Sequence, residues 1–294
     1  MTGWLEITGV NAPVSVQDAG RPGQMQHGVP PGGPLVPELL ALANHTVGNA
    51  SGAAALEVFG RVELRARGRG VRVSVDGRAV TLPDGDRLTL PAPESTSVRY
   101  VAVDGGFAVP EVLGGRGTLL VARLGGHEGR LLRAGDMLPL GEAREPVAAK
   151  APGAALDATA PIRVTLGPDT RRFEPATVAT LLSGAFAVSA ATDRVGMRLQ
   201  GPALTHGDEG TGTSRPMVRG AIQVTLSGAP IVLGPDHPTT GGYPLIATVI
   251  RADWGRLCAR RPGAAVRFQE VSIDEARHAW RQYAEHFGIG TGPT

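Results

Sequence analysis

The apolar segments of this chain are short, and glycine or proline ends nearly every one of them. That pattern leaves room for strands and turns but not for long helices. Across 294 residues there are 42 Gly and 24 Pro against only 4% aromatic residues, the balance of a chain that turns often. Hydrophobic residues make up 42%, enough for a sizeable core. The expectation is a mainly β fold with a few short helices, arranged in two lobes.

Residues 1–145 read as an N-terminal β lobe, 146–161 as a linker, and 162–294 as a C-terminal β lobe ending in a helix. The linker follows from the loss of periodicity over 142–161, where Ala and Pro dominate. In the first lobe strands are expected at 4–8, 14–17, 53–59, 88–90, 98–103 and 119–123. A hairpin joins 71–75 to 79–82 through Asp76-Gly77, which supplies the positive φ of a two-residue turn. A helix is expected from Pro34, with Leu35, Leu39, Leu42 and Val47 at helical spacing, until Gly48 stops it. The second lobe has strands at 162–166, 231–233, 245–250 and 266–268, and alternation at Ile222, Val224 and Leu226. Helices are expected at 175–182, at 254–257 with Asp253 as N-cap, and at 274–287 with Ala276, Trp280, Tyr283 and Phe287 on one stripe.

Several chemistries are excluded. Lys150 is the only lysine, so there is no G-x-x-x-x-G-K-[ST] loop and no recognisable attachment site for biotin or a Schiff base. Cys258 is the only cysteine, which rules out an internal disulfide and a Cys-based zinc cluster and reads as a buried small hydrophobe. No apolar run reaches the roughly 18 residues of a membrane span, and the first residues lack a basic, then apolar, leader. A cytoplasmic location is therefore expected. Arg65, Arg67, Arg69 and Arg72 have the spacing of one outward strand face without interleaved aromatics, so no nucleic-acid partner is expected. G-x-S-x-G, H-E-x-x-H, C-x-x-C and EF-hand patterns are absent, and His127-Glu128 lacks a second His, so no metal site is expected.

The stretch 220–250 gathers Asp236, His237, Thr239, Thr240 and Tyr243 among Pro235, Pro238, Gly241, Gly242 and Pro244, between apolar strands. A pre-organised binding loop and a wide hairpin fit this composition equally. The Gly pair permits positive φ and close approach of a ligand to the backbone. Other polar turns lie far off in sequence: Gln17-Asp18-Arg21, Asn44 with Glu57, Asp193-Arg194 and Gln223. Brought together, such groups suit a small polar substrate, with carboxylates as bases or amide acceptors, Arg as an anion clamp and Gln as an orienting group. Structural ion pairs are the alternative, notably for Asp193-Arg194.

VQDAGRPGQMQHGVPPGGPL, LANHTVGN, LEVFG, TDRVGMRLQGP and GAIQV…PDHPTTGGYPLIATVI, in that order, resemble the carboxyltransferase subdomain A/B family, also called the allophanate hydrolase subunit 2 or KipA-like family. The resemblance runs from about Ile7 to Val271. It implies two β-barrel-like lobes with a cyclophilin-like barrel. Among relatives it implies the C-type subunit of an ATP-dependent 5-oxoprolinase, half of a biotin-dependent carboxyltransferase acting on urea or another amide, or a regulatory KipA-like binding protein.

For the 5-oxoprolinase it implies a hetero-oligomer with a B-type subunit (allophanate hydrolase subunit 1, KipI-like) and an A-type subunit, inactivity without them, ATP shared with a partner, and no covalent biotin here. In that frame Asp18, Arg21, Asp193, Arg194 and Asp236 are the catalytic candidates. Gln17, Asn44, Glu57, Gln223, Thr240, Gly241, Gly242 and Tyr243 are the substrate-binding ones, for a lactam or amide. Two departures stand out: Val36 where relatives carry an acidic residue, and Ser214-Arg215-Pro216 where they carry Ser-Glu-Gly.

Overall fold

The computed structural model describes residues 3–143, 156–157, 159–206 and 213–287. The chain divides into two compact units, residues 1–22 with 32–155, and residues 23–31 with 156–294. The segment 23–31, assigned to the first lobe by sequence, thus falls with the second unit. Most of the linker at 146–161, Lys150 included, lies outside the described residues.

The first unit contains β1 (Trp4–Val10), β2 (Val14–Gln17), β3 (Ala55–Val58), β4 (Val62–Arg67), β5 (Val71–Val75), β6 (Arg78–Leu82), β7 (Arg87–Leu90), β8 (Arg99–Val101) and β9 (Met137–Pro139), with α1 (Pro37–Thr46). Its sheets run β7-β4-β1-β9, β2-β3-β8 and β5-β6. Alternation explains them: β4 buries Val62, Leu64 and Ala66 and turns Glu63, Arg65 and Arg67 outward. Those apolar faces join Leu5, Ile7, Val16, Leu56, Val73 and Val101 in one core. The Asp76-Gly77 turn has φ of 47° and 78°, as the hairpin requires.

Three sequence expectations change here. Helix α1 starts at Pro37 at its first turn, not at Pro34, because residues 28–34 hold an irregular glycine-proline loop. Residues 119–123 form a 3-10 turn over Leu120–Ala122 instead of a strand; Leu120 and Val121 are exposed and bury nothing. The four arginines share no single strand face, since Gly68 at φ 81° ends β4 before Arg69, and Arg72 lies on β5. Arg65, Arg69 and Arg72 hold backbone carbonyls of Gly85, Gly141 and Val47, and Arg67 pairs with Glu6.

The second unit contains β10 (Ile162–Leu166), β11 (Phe186–Val188), β12 (Gly196–Gln200), β13 (Arg215–Pro216), β14 (Ala221–Val224), β15 (Pro230–Leu233), β16 (Thr240–Gly241), β17 (Leu245–Val249), β18 (Ala265–Val266) and β19 (Phe268–Glu270). Its helices are α2 (Pro175–Ser183), α3 (Trp254–Cys258) and α4 (Ile273–Phe287). One eight-stranded sheet runs β18-β11-β12-β15-β14-β17-β10-β19. Its two outer strands, β18 and β19, are successive pieces of chain separated only by Arg267, so the sheet nearly closes into a barrel. β14 lies inside it and is buried on both faces. A bulge in its pairing with β17, between Ile222 and Gln223, ends the regular register beside the loop that follows β15.

Helix α4 packs its Ala276, Ala279 and Tyr283 side on Ile250 and Ala252, and Trp280 stacks on Tyr283 at 5.2 Å. Cys258 is buried. Asp253 does not cap α3; its carboxylate accepts from the Arg163 backbone N–H and from the Arg163 and Arg256 guanidinium groups.

Candidate functional site

In the first unit, the candidate side chains are buried and bound largely to that unit's own backbone. Gln17 donates to the Thr118 carbonyl at 3.0 Å. Asp18 accepts the backbone N–H groups of Gly20 at 2.9 Å, Gly117 at 3.1 Å and Arg116, stitching two turns together. Arg21 donates to the Val112 and Gly117 carbonyls. Asn44 donates to the Ala53 carbonyl at 2.8 Å and accepts from Asn49. Glu57, in the middle of β3, accepts from the Leu35 N–H and the Tyr100 hydroxyl, which fixes the entry to α1.

In the second unit, the loop between β15 and β17 is pinned from below. Arg194 and Asp236 form a buried two-toothed ion pair, Nε to Oδ2 at 2.8 Å and Nη2 to Oδ1 at 2.9 Å. The Asp236 N–H also meets the Arg194 carbonyl, at 3.1 Å. Asp193 is exposed and folds onto the N–H groups of Val195 and Gly196, turning the chain into β12.

Thr240 and Gly241 form β16, paired with Pro216 and Arg215 of β13. Gly241 and Gly242 do not take positive φ. Gly241 sits in a tight place instead, since a Cβ would stand 3.0 Å from the Gln223 amide nitrogen and 3.3 Å from the Met217 sulfur. Gln223 is buried against that sulfur, Nε2 to Sδ 3.4 Å. Tyr243 is half-buried. Arg215 is tied to Asp169 at 2.9 Å, and Asp169 also accepts the Leu245 N–H, so the departure at 215 closes a local ion pair.

Three residues that were given no role from sequence, His237 of the 220–250 loop among them, lie on this framework. Backbone bonds from Met217 to Thr239 and from Gly220 to Leu233 hold the 217–220 turn against 233–239, which sets Arg219 and His237 on facing turns. The Arg219 guanidinium lies 5.5 Å over the Trp254 ring. Burial, then the like charge of Arg251, pushes its pKa down, and no carboxylate among the described residues lies within ion-pairing distance of it. His237 is fully buried; its Nδ1 sits 2.8 Å from the Pro238 carbonyl, which can only accept, so the proton is on Nδ1 and Nε2 keeps a bare lone pair. Neither that Nε2 nor the Trp254 Nε1–H finds a partner among the described residues. Only His237 left a trace in the sequence, as a polar residue between two prolines.

Desolvation, and then the charge of Arg219, holds the His237 pKa below 6.5 despite its bond to Pro238. The sign follows: below about pH 6.5 the unfolded chain takes up a proton that the folded chain does not, so stability is full above that pH and falls as the pH drops. Denaturant midpoints measured from pH 8 to 5 are expected to decline more steeply for the wild type than for His237→Phe. Equal slopes would contradict the assignment.

The same unit holds an open cleft of about 410 Å³ lined by Arg163, Asp253, Arg256, Gln269, Gln282 and Tyr283, among others. Its charges are satisfied internally, because Asp253 holds both arginines at 2.7 Å; the turns around His237 offer unsatisfied groups and are the stronger candidate. Among the described residues no group of three or more His, Cys, Asp or Glu could hold a metal ion, and no helix is long and apolar enough to cross a membrane.

The family model for the carboxyltransferase domain, subdomain A and B, matches residues 27–270, and the chain belongs to that family. It is 34% identical to the C-type subunit of 5-oxoprolinase from Escherichia coli, over 96% of both chains. To the corresponding 5-oxoprolinase chain of Haemophilus influenzae it is 31% identical, over 92% of this chain and 93% of that one. The crystal structure of Kluyveromyces lactis urea carboxylase superposes with a TM-score of 0.87 at 26% identity, covering 99% of this chain and 30% of that one.

Proposed function

We propose that this chain is the C-type subunit of an ATP-dependent 5-oxoprolinase, converting 5-oxoproline, ATP and water to glutamate, ADP and phosphate with B-type and A-type partners. The observation that carries this reading is the near full-length match to the C-type 5-oxoprolinase chain of Escherichia coli. The second unit supports it chemically: a bare imidazole nitrogen, an indole N–H and a guanidinium without a carboxylate suit a small polar amide. Phosphorylation of the lactam carbonyl oxygen breaks the amide resonance and prepares the ring carbon for attack by water. Gln17, Asp18, Arg21, Asn44 and Glu57 act as positioning residues that hold turns. Arg194 and Asp236 do the same for the His237 loop, Asp193 for the turn into β12, and Gln223, Thr240, Gly241, Gly242 and Tyr243 border it.

A triphosphate finds little here that suits it: the chain has one lysine, and Arg21 and Arg116 at the glycine-rich turns hold carbonyls. ATP is therefore assigned chiefly to the partner, and no step is routed through it. Coexpression with the two partner chains is expected to give ADP release that depends on 5-oxoproline and on all three chains. No turnover with a demonstrably active A-type partner would remove the proposal.

The urea carboxylase superposition favours a second reading, a half of a biotin-dependent carboxyltransferase acting on urea or another amide. Transfer of labelled carboxyl from a carboxybiotin carrier to urea by the chain and its B-type partner is its test.

A further inference from the structure

We propose that Arg219, His237 and Trp254 form a subsite for a compact ligand carrying an N–H donor one carbon away from a carboxylate, with the N–H on His237 Nε2 and the carboxylate on the Arg219 guanidinium and the Trp254 indole N–H. The inference deepens the 5-oxoprolinase reading and rests on it, since the lactam 5-oxoproline has this arrangement of groups.

Its basis is a matched set of unmet demands. Burying a polar group without a partner costs free energy, and folded chains rarely leave such a group unmet. Here the bare Nε2 of the fully buried His237 demands a donor, and the buried Trp254 Nε1–H demands an acceptor. Arg219, stacked over the Trp254 ring, demands an anion. The backbone bonds that flank positions 219 and 237 fix the two turns before anything binds. Arg194 offers no competition, because Asp236 neutralises it with both carboxylate oxygens. Arg219 is half-buried and is the member of the set that reaches solvent, so a ligand enters past it. Like charge from Arg251 is felt at Arg219, which adds to the preference for an anion. A ligand that supplies only one of the two complementary groups leaves a buried demand unmet, which is the kind of loss that discriminates strongly between analogues.

The test uses the chain coexpressed with its two partners and three probes: 5-oxoproline, 2-pyrrolidinone, which lacks the carboxylate, and the lactone 5-oxotetrahydrofuran-2-carboxylate, which lacks the N–H. Arg219→Gln is expected to raise KM for 5-oxoproline by roughly 30-fold and to erase the preference over 2-pyrrolidinone. His237→Phe is expected to raise KM by about tenfold and to erase the preference for lactam over lactone. Folding of each variant is checked by its denaturation midpoint, and the wild-type response to the three probes needs no variant at all. Wild-type turnover with unchanged KM and selectivity in both folded variants would overturn the subsite while leaving the 5-oxoprolinase reading intact. If the wild-type complex does not turn over 5-oxoproline, calorimetric titration of the chain with the same probes decides: binding of 5-oxoproline that Arg219→Gln abolishes supports the subsite, and no binding overturns it.

Discussion

Asp236→Ala is expected to destabilise the protein by about 3–5 kcal/mol, the range for removing one partner of a buried ion pair. The substitution takes two bonds, of 2.8 and 2.9 Å, from the buried Arg194 guanidinium. It also frees the loop that carries His237, so activity of the complex is expected to fall along with stability. Urea denaturation read by tryptophan fluorescence measures it, with Trp254 and Trp280 both reporting on the second unit. Asp236→Asn keeps one acceptor and is expected to cost less. Replacing Arg194 and Asp236 together with Met and Leu is expected to recover much of the loss, because it removes the desolvated cation along with the carboxylate. A change under about 1 kcal/mol for Asp236→Ala would show that Arg194 is solvated after all.

Asp18→Ala is the second large effect, on the order of 3 kcal/mol, and it acts in the first unit. The carboxylate satisfies three backbone N–H groups, of Gly20, Arg116 and Gly117, and each one left buried without a partner costs about 1–3 kcal/mol, partly relieved by water. Gly117 packs tightly on it, with room for no Cβ. Asp18→Asn distinguishes positioning from chemistry. If the carboxylate only holds turns, stability and activity fall together; a variant of wild-type stability that has lost turnover would place Asp18 on the substrate.

Much of the architecture is written locally. Alternation in β4 and Asp76-Gly77 in its hairpin are local signals, and the structure realises both. The polar candidates were legible as residues but not as roles. In sequence Asp18 reads as a catalytic carboxylate and Glu57 as a substrate-binding one, and nothing there reveals that distant backbone N–H groups, at Gly117 and Leu35, converge on them. Asp193-Arg194 divides in the same way: one neighbour folds onto its own turn, the other reaches across 42 positions to Asp236. Gly241 reads as a conformational residue, yet its φ is not positive and its neighbours are side chains in close contact. Arg219 left no signal, because an arginine before a glycine is ordinary; only folding lays it on Trp254.

The assignment of residues 23–31 to the second unit bears on how the protein is made. The chain passes between units after Pro22, again before Gly32, and a third time near Ala155. During synthesis, residues 23–31 leave the ribosome well before the rest of the second unit, which begins at Leu156. The first unit can condense early around its own core, while the second must recruit a segment already emerged and waiting. A cut at 155 would leave the nine residues 23–31 of the second unit on the N-terminal fragment.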